Sequence, residues 1–351
     1  MNKEKKHINI NFIDFYDSFV PEQSFIYKLL EKHYHIHITD NPDYLFCSVA
    51  SDDHLTKKDC IKILWTGENQ TPDFNLYDYA MGFDYLNYGD RYLRLPFYYL
   101  YKQDFELMSC KHQFTETDLK SKKGFCSFVV SNNHASAHRK EFFDLLYAYK
   151  PIASGGRYMN NIGKAVDNKL DFTRQYKFAI AFENSSSPGY TTEKLIQAFA
   201  AQAIPIYWGD PTITEHFNPK SFINCNDYDS FDEVVAEVRR LDNDDNAYLE
   251  VMQTPALNEG EMNVDEMFAK IENFLIAIIE QPLSKAQRYD RTYWGRKYNQ
   301  KLLRRKLCEE KSIKGVMEKL YRKVFRSVMN GSNKNVFLWN LHKWLMHKMG
   351  R

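Results

Sequence analysis

The residue types best suited to chemistry are concentrated in the segment 182–194, between an apolar run and a helical pattern. Small residues with Pro188 and Gly189 form a loop, and Thr191 is the expected N-cap of the helix that follows. Such a junction directs backbone N–H groups and the positive end of the helix dipole at a ligand, which suits a diphosphate. Lys194 in the first helical turn opposes that dipole, so we expect it to serve a ligand anion. An exposed lysine at a helix start is the plainer alternative. Four further polar side chains in the segment favour a binding site: Glu183, Asn184, Tyr190 and Glu193.

A second candidate is a carboxylate at the end of an earlier apolar run. Glu68 follows Gly67 in the segment Trp65–Gln70. The carboxyl ends of strands in an α/β fold are where ligands bind. A positioned carboxylate there can act as a general base, a role that accelerates a reaction by about 10²- to 10⁴-fold. A loop glutamate that only makes turn hydrogen bonds stays an open alternative.

The sequence predicts no metal site and no common phosphate-binding motif. It contains neither G-x-x-x-x-G-K-[ST] nor G-x-G-x-x-G after a strand, and no Asp-x-Asp follows a strand. The histidines lack carboxylates at ligand spacing. The charge of a departing diphosphate would therefore be met by arginine, lysine and helix termini. Arg157 in Ser154–Tyr158 is a candidate, because paired glycines let the backbone and the guanidinium approach closely.

These residues need a scaffold, and two series of alternating strands and helices are visible. The first series has strand-like runs and one helical stripe, at 7–13, 22–33 (helix), 34–38, 44–49 and 61–65. The second has runs and helices at 125–130, 136–149 (helix), 177–182, 192–202 (helix), 203–208 and 221–225, with three helices up to about 280. The pattern predicts an α/β protein with two doubly wound sheets and ligands in the cleft between them. We predict domains over 1–115 and 116–284, with a hinge near 105–123.

Length and composition exclude several classes of protein. The 351 residues suffice for two domains, and 44% hydrophobic with 26% charged residues excludes a disordered polymer. No apolar run approaches the roughly 18 residues of a membrane-spanning helix, and the first residues do not resemble a signal peptide. The six cysteines lack the spacing of a zinc or redox motif. We therefore expect a cytoplasmic protein with reduced thiols.

The net charge of +1 conceals a separation of acidic and basic residues along the chain. Residues 285–351 carry 19 Lys and Arg against four Asp and Glu, a net charge of +15, whereas residues 1–284 have a net charge of −14. Leucines with Trp339 and Trp344 recur in this basic tail, as in an amphipathic helix that binds an anionic membrane surface. Docking on the acidic body and nucleic-acid binding are alternatives. The apolar face favours peripheral association with the inner face of the cytoplasmic membrane, without a nucleic-acid partner.

At these residues the sequence resembles the α-1,3-fucosyltransferases of glycosyltransferase family 10, especially the bacterial members that modify surface polysaccharides. The resemblance extends from about Ile61 to Asn258. In the second series it is carried by Tyr176–Lys194, Ile204–Asp210 and Phe217–Ile223. In the first series it is carried by Thr66–Asn69, Phe74–Tyr79 and Asp90–Pro96.

The resemblance implies a GT-B arrangement, in which two Rossmann-like domains face a cleft, and an inverting, metal-independent enzyme. The donor would be GDP-fucose, and the acceptor a β-galactosyl-N-acetylglucosamine of the LacNAc type in a surface glycan. Glu68 would be the general base for the GlcNAc hydroxyl. The donor-binding residues would be Arg157, Asn184, Tyr190, Thr192, Glu193 and Lys194. Lys194 and an arginine would bind the diphosphate. The position of that arginine in the animal members corresponds to Arg157, and its position in some bacterial members corresponds to Met159.

Two other functions stay open on the sequence. One is a transferase of the same architecture that uses another nucleotide-sugar. The other is a non-catalytic, membrane-bound protein that binds carbohydrate or nucleotide.

Overall fold

The structure, a computed structural model, describes residues 5–110, 114–133 and 135–311. The strands are β1 (Lys6–Ile13), β2 (Tyr34–Ile38), β3 (Tyr44–Cys47), β4 (Ile61–Trp65), β5 (Tyr79–Gly82), β6 (Tyr92–Arg94), β7 (Gly124–Phe128), β8 (Ile152–Ser154), β9 (Tyr176–Phe182), β10 (Ile204–Trp208) and β11 (Ile223–Asn224). The α-helices are α1 (Phe25–Leu30), α2 (Lys102–Ser109), α3 (Glu116–Ser121), α4 (His138–Tyr149), α5 (Lys169–Thr173), α6 (Glu193–Ala200), α7 (Phe231–Asn243), α8 (Asp245–Gln253), α9 (Val264–Ile279), α10 (Leu283–Ala286) and α11 (Tyr293–Lys311). Short 3₁₀ helices lie at Pro21–Gln23, Asp53–Thr56, Gly89–Arg91, Phe97–Leu100, Ile213–Glu215 and Cys225–Asp227.

The strands form two parallel sheets, as the sequence predicts. The first has the order β2-β1-β3-β4-β5-β6 and the second the order β11-β10-β9-β7-β8. The direction of strand order reverses between β1 and β3 in the first sheet and between β7 and β9 in the second. These reversals are the topological switch points at which α/β sheets bind ligands.

The predicted strands are confirmed to within a few residues, and three further strands lie between them. β4 coincides with the expected run 61–65, and β9 begins one residue before the expected run 177–182. β5, β6 and β8 are additional strands of three or four residues. Strands of three or four residues are too short to show an alternation of apolar and polar residues in the sequence.

The helix α9 returns the chain from the second sheet to the first. Asn263 caps it, with its side chain accepting from the Glu266 N–H at 2.9 Å. Its buried residues, among them Ile271 and Leu275, join a hydrophobic cluster that includes residues of β1 and β4 in the first domain and of α6 in the second. At its end, the Ile279 carbonyl accepts a hydrogen bond from Tyr44 at 3.0 Å. The segment 264–279 lies in the predicted second domain, 116–284, and its helix contacts α1 and α2 of the first domain.

The segment expected to be a hinge contains two helices. α2 and α3 occupy most of 105–123. α2 packs against α6 of the second domain, where the amide of Gln197 donates to Asp104 at 2.8 Å. The connection between the domains is therefore anchored to the second domain by a side-chain hydrogen bond.

Residues 285–311 of the basic tail contact the first domain. Arg288 donates two hydrogen bonds to Asp90, both at 2.6 Å. The N–H of Tyr289 donates to the fully buried Asp78 at 2.8 Å, and Lys306 pairs with Asp53 at 2.6 Å. Such contacts are expected if the tail docks on the acidic body of the same chain. The remainder of the predicted amphipathic tail, with Trp339 and Trp344, lies outside the described residues. Through 5–110, 114–133 and 135–311, no helix is both long and apolar enough to cross a membrane.

Candidate active site in the cleft between the sheets

A cavity of about 840 Å³ lies between the two domains. Its walls are built from the loops that follow strands near both switch points. The first domain contributes residues after β1, β3 and β4, including Tyr16, Ser48 and Glu68. The second contributes residues after β7 and β9, including Asn132 and Asn184. The parallel topology therefore brings the carboxyl ends of both sheets to one space that can hold a nucleotide-sugar.

Glu68 reaches this cavity from a tight turn after β4. A Cβ at Gly67 would lie 2.5 Å from the ring of Phe97, so a larger residue would force that ring to shift. The Glu68 N–H donates to the Thr66 hydroxyl at 3.0 Å, and Tyr16 donates to one Glu68 carboxylate oxygen at 3.0 Å. Burial and the neighbouring Glu68 carboxylate raise the pKa of Tyr16 to about 12, so Tyr16 keeps its proton and continues to donate. The Glu68 carboxylate is exposed to the cavity and held at one oxygen.

Lys194 lies on the opposite wall, in a network with a fully buried carboxylate. Its ammonium is 2.9 Å from Glu183 and 2.8 Å from the hydroxyl of Thr192. The Thr192 N–H and hydroxyl also donate to Glu183, at 2.7 and 2.9 Å to the same oxygen. Glu183 therefore fixes both the start of α6 and the position of Lys194.

The helix start differs from the prediction in two respects. Thr192, not Thr191, occupies the N-cap position, and its hydroxyl bonds to Glu183 rather than capping the helix. Thr191 instead donates to Asp210 at 3.0 Å. The buried carboxylate of Glu183 thus accepts a hydrogen bond from the Thr192 N–H, one of the backbone donors that the sequence predicts for a ligand.

The charges in this wall stabilise one another. Burial alone would lower the pKa of Lys194, but the carboxylates of Glu183 and Glu193 raise it. Burial alone would raise the pKa of Glu193, but Lys194 and Lys169 hold it below its usual value. Lys194 and Glu193 are therefore both charged at neutral pH.

The backbone around Asn184 is held by a buried arginine. Arg139 is 1% exposed and donates to the Phe182 carbonyl at 2.9 Å and to the Asn184 side-chain oxygen at 2.9 Å. Asn184 consequently presents its NH₂ group away from Arg139, as a donor at the cavity edge.

The loop 185–190 joins the two domains beside the cavity. Asn69 of the first domain donates to the hydroxyls of Ser185 and Ser187 at 2.6 and 2.9 Å. The rings of Tyr190 and Phe83 pack edge to face with centroids 5.0 Å apart. Gly189 has φ +81°, and a Cβ there would lie 2.6 Å from the Phe83 carbonyl oxygen, so only glycine fits. The wall that carries Lys194 is thereby held against the wall that carries Glu68.

Both domains match models of known protein families. Residues 10–101 match the family model described as the α-(1,3)-fucosyltransferase FucT N-terminal domain, and residues 119–255 match glycosyltransferase family 10 (fucosyltransferase), C-terminal. A crystal structure of an α1,3-fucosyltransferase with GDP-fucose is 31% identical, with a TM-score of 0.65 over 78% of this chain and 92% of that one. The chain belongs to glycosyltransferase family 10.

Two further family 10 relatives show how much of the chain is shared. A crystal structure of an α1,3-fucosyltransferase aligns over 84% of this chain and 95% of that chain, with 29% identity and a TM-score of 0.69. The α-(1,3)-fucosyltransferase FucT of Helicobacter pylori is 37% identical over 68% of this chain. That alignment spans 57% of the Helicobacter pylori protein. The fold of this family 10 chain is therefore the GT-B arrangement of two facing α/β domains.

The family 10 cavity brings together all but one of the residues predicted from the sequence. Its walls include the predicted base and five of the predicted donor residues: Glu68, Asn184, Tyr190, Thr192, Glu193 and Lys194. Arg157 is exposed and does not line the cavity. The glycines before it serve packing, since a Cβ on Gly156 would lie 1.9 Å from the Val130 carbonyl oxygen. The structure thus gives no support to Arg157 as a phosphate-binding residue.

Tyr16 and Lys169 are among the cavity residues that sequence reasoning did not identify. Tyr16 follows β1 in a segment with no motif, and only the fold places it beside Glu68. Lys169 is the first residue of α5 and lines the cavity. The signal was a lysine in the first turn of a helix, and Lys194 was identified by its place in the first turn of α6. Across the described ranges, no three His, Cys, Asp or Glu side chains are grouped as metal ligands would be.

Proposed function

We propose that this chain is an inverting α-1,3-fucosyltransferase that moves fucose from GDP-fucose to the GlcNAc of a LacNAc-type acceptor in a surface glycan. The observation that carries the proposal is that Glu68 and Lys194, from different domains, line one cavity. The names of its family 10 relatives support the donor, because they include an α1,3-fucosyltransferase crystallised with GDP-fucose.

The reaction is a direct displacement at the anomeric carbon of fucose. Glu68 takes the proton of the acceptor hydroxyl as its oxygen forms a bond to the anomeric carbon. The bond from that carbon to the diphosphate oxygen breaks on the opposite face, and GDP leaves with the electron pair. The configuration is inverted, and Glu68 then releases its proton to solvent.

The second domain stabilises the negative charge that develops on the leaving diphosphate. Lys194 is charged and held by Glu183, so it needs no reorganisation when the bond breaks. Asn184, Tyr190, Thr192 and Glu193 line the same wall and bind the nucleotide-sugar. Removal of a single preorganised donor to a developing charge costs about 3 to 4 kcal/mol of transition-state stabilisation. Lys194 supplies the positive charge beside the diphosphate, and the reaction proceeds without a metal.

A panel of nucleotide-sugars with a LacNAc acceptor tests the proposal. We expect acceptor-dependent release of GDP from GDP-fucose, and no comparable turnover with GDP-mannose or UDP-galactose. Preferential turnover of another donor would identify a different transferase of the same architecture. Tight binding of GDP-fucose without turnover would identify a non-catalytic binding protein and would leave Glu68 without a role.

We also propose that the protein is cytoplasmic and associates peripherally with the inner face of the membrane through its basic tail. Residues 312–351 carry nine Lys and Arg against one Glu, together with Trp339 and Trp344. Each basic residue near an anionic surface contributes about 1 kcal/mol. In the preceding segment, Tyr293 and Trp294 are 56% and 73% exposed, which leaves aromatic side chains available to the same surface.

A further inference from the structure

Tyr16 is 60% exposed, so packing does little to hold its side chain in place. Its hydroxyl nevertheless donates to one carboxylate oxygen of Glu68 at 3.0 Å. Within the described ranges, no other side chain donates a hydrogen bond to this carboxylate. The place of the hydroxyl, and with it the orientation of Glu68, therefore depends on the backbone segment that carries Tyr16.

The backbone before Tyr16 is anchored by the side chain of Asp14. Asp14 follows β1 in the left-handed conformation, with φ +64°, and is 6% exposed. Each of its carboxylate oxygens accepts a backbone N–H, one from Asp53 at 2.8 Å and the other from His54 at 3.0 Å. The hydroxyl of Ser51 donates to the same oxygen as Asp53, at 2.5 Å. A carboxylate can accept all of these hydrogen bonds, whereas an amide would present a donor to one of the N–H groups.

The imidazole of His54 completes this anchor from the interior of the domain. His54 is 3% exposed, and its Nδ1 lies 2.6 Å from the Asp14 carboxylate. Because a carboxylate only accepts hydrogen bonds, Nδ1 is the nitrogen that donates. The hydroxyl of the buried Tyr77 then donates to Nε2 at 3.3 Å. The start of the loop after β1 is thereby fixed to the 3₁₀ helix Asp53–Thr56.

The ring of Phe15 fixes the same loop to the strand that leads to Glu68. It stacks with the ring of Trp65, the last residue of β4, with centroids 5.9 Å apart. It also stacks with the ring of Phe19, with centroids 4.0 Å apart. The hydroxyl of Tyr16 and the carboxylate of Glu68 are therefore carried by two backbone segments that are held together by packing.

We propose that Asp14 and Tyr16 are positioning residues for the catalytic base. Asp14 sets the turn after β1, Tyr16 holds one oxygen of Glu68, and the other oxygen is left to take the proton of the acceptor hydroxyl. Both residues act through Glu68 and touch none of the reacting atoms. A misplacement of about 1 Å at a reacting group can cost about 100-fold in rate. This inference rests on the proposed function, since it deepens the role of the same base.

Steady-state kinetics of the full chain with GDP-fucose and a LacNAc acceptor test these roles. Tyr16→Phe keeps the ring and removes the hydroxyl, and we expect kcat to fall about 10- to 100-fold while the affinity for GDP stays within about twofold. Asp14→Asn keeps the shape and a residue that tolerates the left-handed conformation, and its kcat should fall by a similar factor. Asp59→Asn is the matched control, because Asp59 also has a left-handed backbone, with φ +55°, but is exposed and does not line the cavity.

The double variant separates positioning of the base from a general loss of structure. If Asp14 acts through the Tyr16 hydroxyl, Asp14→Asn should lower kcat by less than about threefold in the Tyr16→Phe protein. An unchanged kcat in either single variant, or an equal loss from Asp14→Asn in both backgrounds, overturns the inference and leaves the proposed function intact. A wild-type chain that transfers no fucose would overturn the proposed function itself. If Asp14→Asn does not fold, Ser51→Ala, which removes one donor to the same carboxylate, takes its place in the comparison.

Discussion

The most informative perturbation is Glu68→Gln, because it removes the proposed base and preserves its shape. The Tyr16 hydroxyl can donate to the amide oxygen as it donates to the carboxylate, at 3.0 Å in the native protein. The hydrogen bond from the Glu68 N–H to Thr66 involves only the backbone of residue 68. The substitution therefore leaves the turn after β4 in place and removes only the ability to accept a proton.

The expected effect on rate is large and the expected effect on stability is small. A positioned general base contributes about 10²- to 10⁴-fold, so turnover should fall at least about 100-fold, or about 2.7 kcal/mol at 1.36 kcal/mol per tenfold. Glu68 is exposed and, among the described residues, has no salt bridge. Its replacement should change the free energy of unfolding by no more than about 0.5 kcal/mol.

The assay is acceptor-dependent release of GDP from GDP-fucose, with kcat and kcat/KM measured for both proteins. Glu68→Gln should lower kcat, because an amide cannot accept the proton of the acceptor hydroxyl. The affinity for GDP should be unchanged, because Glu68 lies on the wall opposite Lys194. Glu31→Gln is the control, since Glu31 is an exposed glutamate of the same domain and does not line the cavity.

Turnover of Glu68→Gln at the wild-type rate would remove Glu68 as the base. A higher KM for the acceptor with an unchanged kcat would show that Glu68 positions the acceptor and that another group takes the proton.

Three further predictions concern the opposite wall, the metal and the tail. Lys194→Met should lower the free energy of unfolding by about 3 to 5 kcal/mol, because it leaves the buried carboxylate of Glu183 unpaired. Denaturant titration should show that adding Glu183→Gln restores most of that loss. Turnover should nevertheless stay at least about 100-fold below the wild-type rate in both the single and the double variant. Full activity of the double variant would exclude Lys194 from the reaction. Chelation with EDTA should leave turnover within about twofold, and complete loss with rescue by manganese would contradict charge neutralisation by side chains alone. A chain ended after Lys311 should lose binding to phosphatidylserine vesicles in a sedimentation assay yet keep its turnover, and retained vesicle binding would disprove the role of residues 312–351.

The position of the tail truncation follows from the contacts of residues 285–311. A chain ended near Gln281 would remove the N–H of Tyr289, which donates to Asp78, and the ring of Tyr289, which lies 4.6 Å from the ammonium of Lys62. Both Asp78 and Lys62 are buried. Such a truncation would uncover two buried charges and would confuse loss of membrane binding with loss of structure.

The sequence was sufficient to find the two walls of the site. The apolar runs that became β4 and β9 are bounded by turn residues, so the strands and their carboxyl ends could be located. Glu68 and Lys194 follow those ends, and the parallel topology implied by two strand-helix series brings such ends towards one cleft.

The partners of these residues could not be predicted from the sequence. The amphipathic pattern of α9 shows which face is apolar but not that the face packs on the first sheet. Nothing in the spacing of Glu183 and Lys194 distinguishes a buried ion pair from two separate ligand contacts, and the structure shows the ion pair. Arg157 was chosen for its neighbouring glycines, but Gly156 is required by packing against the backbone of Val130, and a Cβ on Gly155 would crowd Val166.

The most direct test of the account is the linkage and anomeric configuration of the product formed from GDP-fucose and a LacNAc acceptor, determined by NMR. Both isomers of the galactosyl-N-acetylglucosamine disaccharide should be used, so that O3 and O4 of GlcNAc are each available in one of them. Inverting displacement by a hydroxyl activated by Glu68 predicts fucose in α-linkage to O3 of GlcNAc. A β-linked product, or release of GDP without transfer to either disaccharide, would contradict the account.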